Sequence, residues 1–237
     1  MKPLVIVKTG STIPAVAQRR GDFEHWITAG MDIASSRIRV VDVAHGQSLP
    51  KVTAVGGAVI TGSSAMVTDR EPWSVRTAAW LAHAVAAEVP VLGICYGHQL
   101  LADALGGTVA RNPRGREIGT VEVALTTAAR EDALLGEFPG RLWVQTSHLE
   151  SVAELPPTAL HLASSRLDPN HAFRIGPSAW GVQFHPEFDA DIMRGYLDAR
   201  REEVLAEGLD ADALERDVEE GTDGVAVLRR FAEIAAA

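Results

Sequence analysis

The chain has almost no cysteine: a single one, Cys95, among 237 residues. One thiol cannot form an internal disulfide, so the sequence suits a reducing compartment and leaves any sulfur chemistry to Cys95 alone. Long apolar runs are missing too. The opening MKPLVIVKTG is interrupted by Lys8 after a few residues, too short for a signal-peptide core, and no stretch approaches a membrane span. A cytoplasmic protein without membrane contact is expected. Basic clusters are also absent: the net charge is −9, and residues 189–237 hold 14 Asp/Glu against 6 Lys/Arg, so everything before them is nearly neutral. That balance gives no electrostatic footprint for nucleic acid, and the acidic end reads as solvated helical faces. There is no H-E-x-x-H, no C-x-x-C and no P-loop lysine, and His98, His148 and His185 lack metal-ligand spacing, so neither metal nor cofactor is expected.

With 46% hydrophobic and 22% charged residues, the chain can bury a substantial core as a single domain over 1–237. Apolar, β-branched runs recur at Leu4 to Val7, Ile38 to Val43, Ala58 to Thr61 and Val89 to Cys95, with helical spacing between most of them. This alternation predicts an α/β fold, a parallel sheet covered by helices on both faces. After Gly107 the segments GTVEVALT, RLWVQTSH, LHLASS, HAFRI and AWGVQFH follow with few helical gaps, which predicts further strands, some antiparallel. From Asp189 the pattern is helical. Ile192, Met193, Tyr196 and Leu197 share one face, and Val227, Leu228, Phe231 and Ile234 form another stripe, so 189–237 reads as a helical extension packed on the core.

Cys95 stands between Gly93 and Gly97, where an apolar run gives way to a helical pattern. If Val89 to Ile94 is a strand and Gly97 to Leu105 a helix, the thiol occupies the sharp turn between them, and G-I-C-Y-G has the spacing of a nucleophile elbow. The free N–H groups of the helix start favour the thiolate. A cysteine at a strand end is more often an inert core residue, so the assignment needs partners. His185, in AWGVQFHPEF, is the best-placed base. Pro186 ends the ladder there, and in extended chain Glu187 points to the same side as His185 and can orient its ring. The remaining requirement is an oxyanion site, and GGAVITGSSAMV supplies a strand breaking at Thr61-Gly62-Ser63-Ser64, where a backbone N–H can join the amide of Tyr96. An ordinary β-turn is the bland alternative. His25, His45, His83, His161 and His171 belong to no constellation and read as surface or satisfied packing residues.

Together these segments resemble the class I glutamine amidotransferases. GICYGHQ is similar to the family's nucleophile motif, GVQFHPEF to its His-Pro-Glu motif and VITGSS to its oxyanion strand and loop, in the family's order, over roughly residues 1 to 190. The resemblance implies a flavodoxin-like, open and mostly parallel sheet. It implies hydrolysis of the γ-amide of L-glutamine, with Cys95 as nucleophile, His185 as general base and acid, and Glu187 as orienting carboxylate. It also implies oxyanion donors at Gly62, Ser63 and Tyr96, and substrate contacts from Gln99 and from the TSHLESV loop through Ser147 and Glu150. Leu149 and Glu150 depart from the family's common Ser-His-Gly-Asp. A role for His148 as a second base fits poorly, because its segment matches substrate-binding chain.

Within the family, the sequence is similar to the glutaminase portion of GMP synthase and, through GDFEHWI, REPW and NPRGREIGT, to a stand-alone group that includes γ-glutamyl peptidases. Only 50 residues follow Glu187, with no nucleotide-binding motif. Three readings stay open. The first is a glutaminase feeding ammonia to a separate ATP-dependent synthetase subunit. The second is a free-standing γ-glutamyl peptidase or hydrolase, and the third a non-catalytic binding or regulatory protein that keeps the fold.

Overall fold

A computed structural model describes residues 2–221 and 223–237. Its strands are β1 (Leu4–Lys8), β2 (Ile38–Asp42), β3 (Gly57–Ile60), β4 (Val91–Ile94), β5 (Thr108–Arg111), β6 (Glu117–Leu125), β7 (Arg141–His148), β8 (Glu150–Glu154), β9 (Ala159–Ser164), β10 (Ala172–Ile175) and β11 (Ala179–Val182). The helices are α1 (Pro14–Arg20), α2 (Phe23–Met31), α3 (Pro72–Ala86), α4 (Tyr96–Ala104), α5 (Ala190–Ala199), α6 (Arg201–Ala206), α7 (Ala211–Arg216) and α8 (Asp223–Ala236).

Strand β1 explains the layering. Successive side chains of a strand point to opposite faces, so Leu4 and Ile6 enter one core and Val5 and Val7 the other. A strand covered on both sides must therefore be apolar throughout. The first core holds Phe23, Ile27, Met193 and Phe231 from α2, α5 and α8, and the second holds Leu81 and Leu100 from α3 and α4.

The main sheet runs β2-β1-β3-β4-β11-β10-β9-β6-β7, while β5 and β8 form a separate antiparallel ribbon. The pairings β2·β1, β1·β3, β3·β4 and β4·β11 are parallel, giving the flavodoxin-like order with β11 in fifth place. Strands β10, β9, β6 and β7 extend the sheet antiparallel. The carboxyl ends of β3, β4 and β11 therefore share one rim, where ligands bind in open α/β sheets.

Several expected boundaries shift. The strand before Cys95 begins at Val91 instead of Val89, because Pro90 has no N–H to give to the ladder. The helix after it starts at Tyr96, one residue before Gly97. TSHLESV is not a loop: β7 runs to His148, β8 starts at Glu150, and the chain changes sheets at Leu149, whose carbonyl accepts the Asn112 N–H at 2.8 Å.

Residues 189–237 carry α5 to α8, and α8 buries Val227, Leu228 and Phe231 in the same core as α2. The Phe231 ring meets Trp180 of β11 edge-on, with centroids 6.4 Å apart. Truncating a fully buried phenylalanine removes its transfer free energy and leaves a cavity. Phe231→Ala is therefore expected to cost about 3–5 kcal/mol in urea unfolding; a loss below about 1 kcal/mol would show that α8 is not part of the cooperative core.

Candidate active site

Cys95 caps the N-terminus of α4 with φ 50° and ψ −100°, a strained backbone for a non-glycine residue and the geometry of a nucleophile elbow. The flanking glycines are sterically required. A Cβ on Gly97 would lie 2.5 Å from the Ile60 carbonyl oxygen, and one on Gly93 would lie 2.4 Å from that of Gly97. The Cys95 N–H donates to the Val182 carbonyl at 2.9 Å, so the bend is tied to β11. Its thiol lies 3.9 Å from the Ser147 carbonyl oxygen.

His185 follows β11 by three residues. Its N–H donates to the Gln145 carbonyl at 2.8 Å as an isolated bridge, which carries the chain across the rim toward β7. The imidazole stacks on Phe188 with centroids 4.1 Å apart and lies nearly parallel to Phe23 at 6.0 Å, the phenylalanine of GDFEHWI. Gly62 leaves room for it: a Cβ there would lie 2.8 Å from His185 Cε1. His185 Nδ1 is 2.8 Å from Glu187 Oε1, and His185 and Cys95 border the same cavity. The contact with Glu187 is not made by extended chain, as the spacing suggested. Pro186 fixes φ and cannot donate to a ladder, so Pro186 and Glu187 form a turn in which the Phe188 N–H reaches the His185 carbonyl at 3.3 Å.

Burial drives His185 toward the neutral ring, but the opposing charges of Glu187 and Cys95 outweigh it and push its pKa up to about 10. Burial likewise pushes the Cys95 thiol up; the charge and hydrogen bond of His185, with the charge of His148, bring it below its ordinary value. Both shifts favour a thiolate facing an imidazolium.

A second charged cluster stands behind the sulfur. His148 Nδ1 is 2.9 Å from the Glu150 carbonyl and His148 Nε2 is 3.1 Å from Glu117 Oε2. Both partners accept, so both ring nitrogens donate and His148 is an imidazolium. Glu117 also accepts from His171 Nε2 at 3.0 Å and from the Ser165 hydroxyl at 2.6 Å; burial pushes its carboxyl up, but the hydrogen bonds and charges of His148 and His171 hold it well below the usual range. Burial opposes the charge on His148, and the hydrogen bond and charge of Glu117 raise its pKa nonetheless. Glu117, His148 and His171 bring one potential metal-ligand atom each within 4.8 Å of one another, but those atoms already satisfy each other.

The remaining sequence candidates gather here to different degrees. Among the described residues, the backbone N–H groups of Gly62, Ser63 and Tyr96 meet no acceptor. Thr9, just after β1, holds the Gly62-Ser63 turn: its hydroxyl donates to the Gly62 carbonyl at 3.0 Å, and its own carbonyl accepts from Ser63 Oγ at 2.8 Å. Gln99 and Glu150 border the cavity beside Cys95, yet both are largely engaged within the protein. Gln99 Nε2 donates to the Glu150 carbonyl at 2.8 Å and to Gln183 at 3.0 Å, and the Glu150 carboxylate accepts from the Val67 N–H at 3.0 Å and from the Thr68 hydroxyl.

Two cavities meet at Ser63, Ser64, Cys95, Ser147 and Arg200. One, of about 80 Å³, extends toward Tyr96, Gln99 and Glu150; the other, of about 170 Å³, extends toward His185, Phe23 and Tyr196. Sequence reasoning missed Glu117, Arg116 and Arg200. A charged Arg-Glu pair opening the alternating run EIGTVEVAL was the available signal for the first two, whereas Arg200 lies in a charged helical stretch that looks wholly solvated.

The sequence pattern of the family described as glutamine amidotransferase class-I matches residues 25–197. The chain belongs to this family. Family members are cysteine-dependent amide hydrolases. One component of the glutamine-hydrolyzing GMP synthase of Pyrococcus abyssi is 40% identical over 114 residues, covering 46% of this chain and 58% of that one. Gamma-glutamyl peptidase 4 from Arabidopsis thaliana is 33% identical over 154 residues, covering 64% and 60%. The match thus spans about three fifths of either relative's length. The crystal structure of a glutamine amido transferase from Methylobacillus flagellatus superimposes with a TM-score of 0.76 at 27% identity, covering 100% of this chain and 93% of that one. Among the described residues, no helix is long and apolar enough to cross a membrane.

If the His148 charge helps hold the amidotransferase thiol ionised, His148→Gln should slow alkylation of Cys95 by iodoacetamide at neutral pH by about threefold to tenfold, up to one unit of thiol pKa. An unchanged rate would assign the Glu117 cluster a purely structural role.

Proposed function

We propose that the chain hydrolyses the γ-amide of L-glutamine, or the equivalent C–N bond of another γ-glutamyl compound, through a γ-glutamyl thioester on Cys95. The observation that carries this reading is the meeting, at one cavity, of the only thiol of the sequence with an imidazole whose Nδ1 is 2.8 Å from a buried carboxylate. In this scheme the Cys95 thiolate attacks the γ-carbonyl carbon, and the amide N–H groups of Tyr96 and of the Gly62-Ser63 turn receive the developing oxyanion. His185 gives its proton to the departing nitrogen as the C–N bond breaks. It then takes a proton from water, whose oxygen attacks the thioester carbon, and glutamate leaves as the sulfur is released. Glu187 keeps the imidazole in the tautomer and orientation both steps need.

The name of the Pyrococcus relative, one part of a glutamine-hydrolysing synthase, supports delivery of the released ammonia to a separate ATP-dependent synthetase. A γ-glutamyl peptidase is the second reading, and the roomier cavity beside His185 favours it.

The test is ammonia release from glutamine by the purified protein. Cys95→Ser is expected to abolish it while the fold persists, and Glu187→Gln to lower kcat by about 10²-fold or more yet by less than the cysteine loss. Near wild-type turnover by the serine variant would remove Cys95 from the chemistry, and equal losses would overturn the division of roles.

A further inference from the structure

Building on the thioester reading, we infer that the leaving-group side of this site is built for an amine that carries a free carboxylate, an α-amino acid or short peptide released from its γ-glutamyl bond, and that Arg200 recognises that carboxylate.

The two cavities that meet at Cys95 are chemically different. The smaller is bordered by Ser63, Tyr96 and Gln99 but not by His185; the larger is bordered by His185 and not by Gln99 or Glu150. The group that protonates the departing nitrogen must sit beside it, within hydrogen-bond reach. The acyl portion therefore belongs in the smaller space and the leaving amine in the larger. A water-sized molecule such as ammonia needs on the order of 10–15 Å³ of such space. The leaving side offers about 170 Å³.

Its lining is mixed. Ile13, Pro14 and Phe23 give an apolar wall, and Ser11, Thr12 and Tyr196 bring hydroxyls. Besides His185, the cationic side chain here is Arg200, at the join of α5 and α6, which borders both cavities. Its Nη1 donates to Glu203 Oε2 at 3.1 Å, and Glu203, more than half exposed, is shared with Arg116 Nη2 at 3.0 Å. Among the described residues, the Arg200 Nε atom has no hydrogen-bond partner and is buried, although the side chain as a whole is 26% exposed. A buried guanidinium donor without an acceptor calls for one, and a carboxylate is the acceptor that the planar Arg fork fits in bidentate fashion. Of these two cavities Arg116 borders only the smaller, and it is already paired with Glu207 at 2.8 Å, so it does not replace Arg200 on the leaving side.

In the reaction the thiolate forms the C–S bond, the C–N bond to the amino acid breaks, and the proton of His185 passes to that nitrogen; water then cleaves the thioester with no further reactant.

The experiment compares kcat/KM for γ-glutamylglycine with that for γ-glutamylglycinamide, which lacks only the terminal charge, alongside glutamine. Wild-type protein is expected to favour the free carboxylate by about tenfold or more, mostly in KM. Arg200→Gln should bring the ratio of the two peptides close to one, and Arg200→Lys, which keeps the charge but not the fork, should fall between. A wild-type ratio near one overturns the inference without any variant. A ratio that Arg200→Gln leaves unchanged, with both peptides and glutamine losing equally, also overturns it and moves Arg200 to the shared glutamyl portion. Failure of wild type on all three substrates, glutamine included, would instead refute the thioester reading itself.

Discussion

The site depends on one buried pair, Cys95 and His185, whose mutual electrostatics favour thiolate against imidazolium. Neither ion is tolerable alone in so closed a setting, since burial by itself would neutralise both. Each charge is kept by the other and by a further support. Glu187 stands behind His185, and the cationic His148, fixed by Glu117, stands behind the sulfur. The missing Cβ of Gly62 makes room for the imidazole, and the Phe188 ring stacked on it, with Phe23 beside them, holds its orientation.

The fold makes this pair possible by bringing three distant segments to one rim. The parallel order β3-β4-β11 sets the Gly62-Ser63 turn, the elbow and the His-Pro-Glu turn side by side. Backbone bonds lock them across strands: Cys95 is tied to Val182, His185 to Gln145, and the Gly62 turn to Thr9. The later helices contribute more than cover. Glu203 and Glu207 of the α6 region grip Arg116 at the head of β6, and the same region presents Arg200 to both cavities.

Much of this is legible in the residues. The elbow is written in G-x-C-x-G because close backbone approach at Ile60 excludes any side chain at Gly97, and the layering follows from strands apolar on both faces. What was not legible depends on long-range contacts. That Glu187 reaches His185 through a turn reflects the constraint of Pro186 together with the bridge to Gln145 on β7. That TSHLESV is two strands depends on partners β6 and β5, some 27 to 43 residues upstream. Arg200 could not be found from periodicity, since a solvated charge and a pocket charge look alike on a helical stripe until the tertiary packing is known.

The ion pair can be measured without ambiguity because the chain has one cysteine. Thiolate ultraviolet absorbance followed through a pH titration of the folded protein reports Cys95 alone. The account predicts a thiolate already formed at neutral pH and lost only on acidification, with His185→Ala moving the transition upward. A wild-type thiol that ionises at or above the ordinary value of about 8.5 would contradict it.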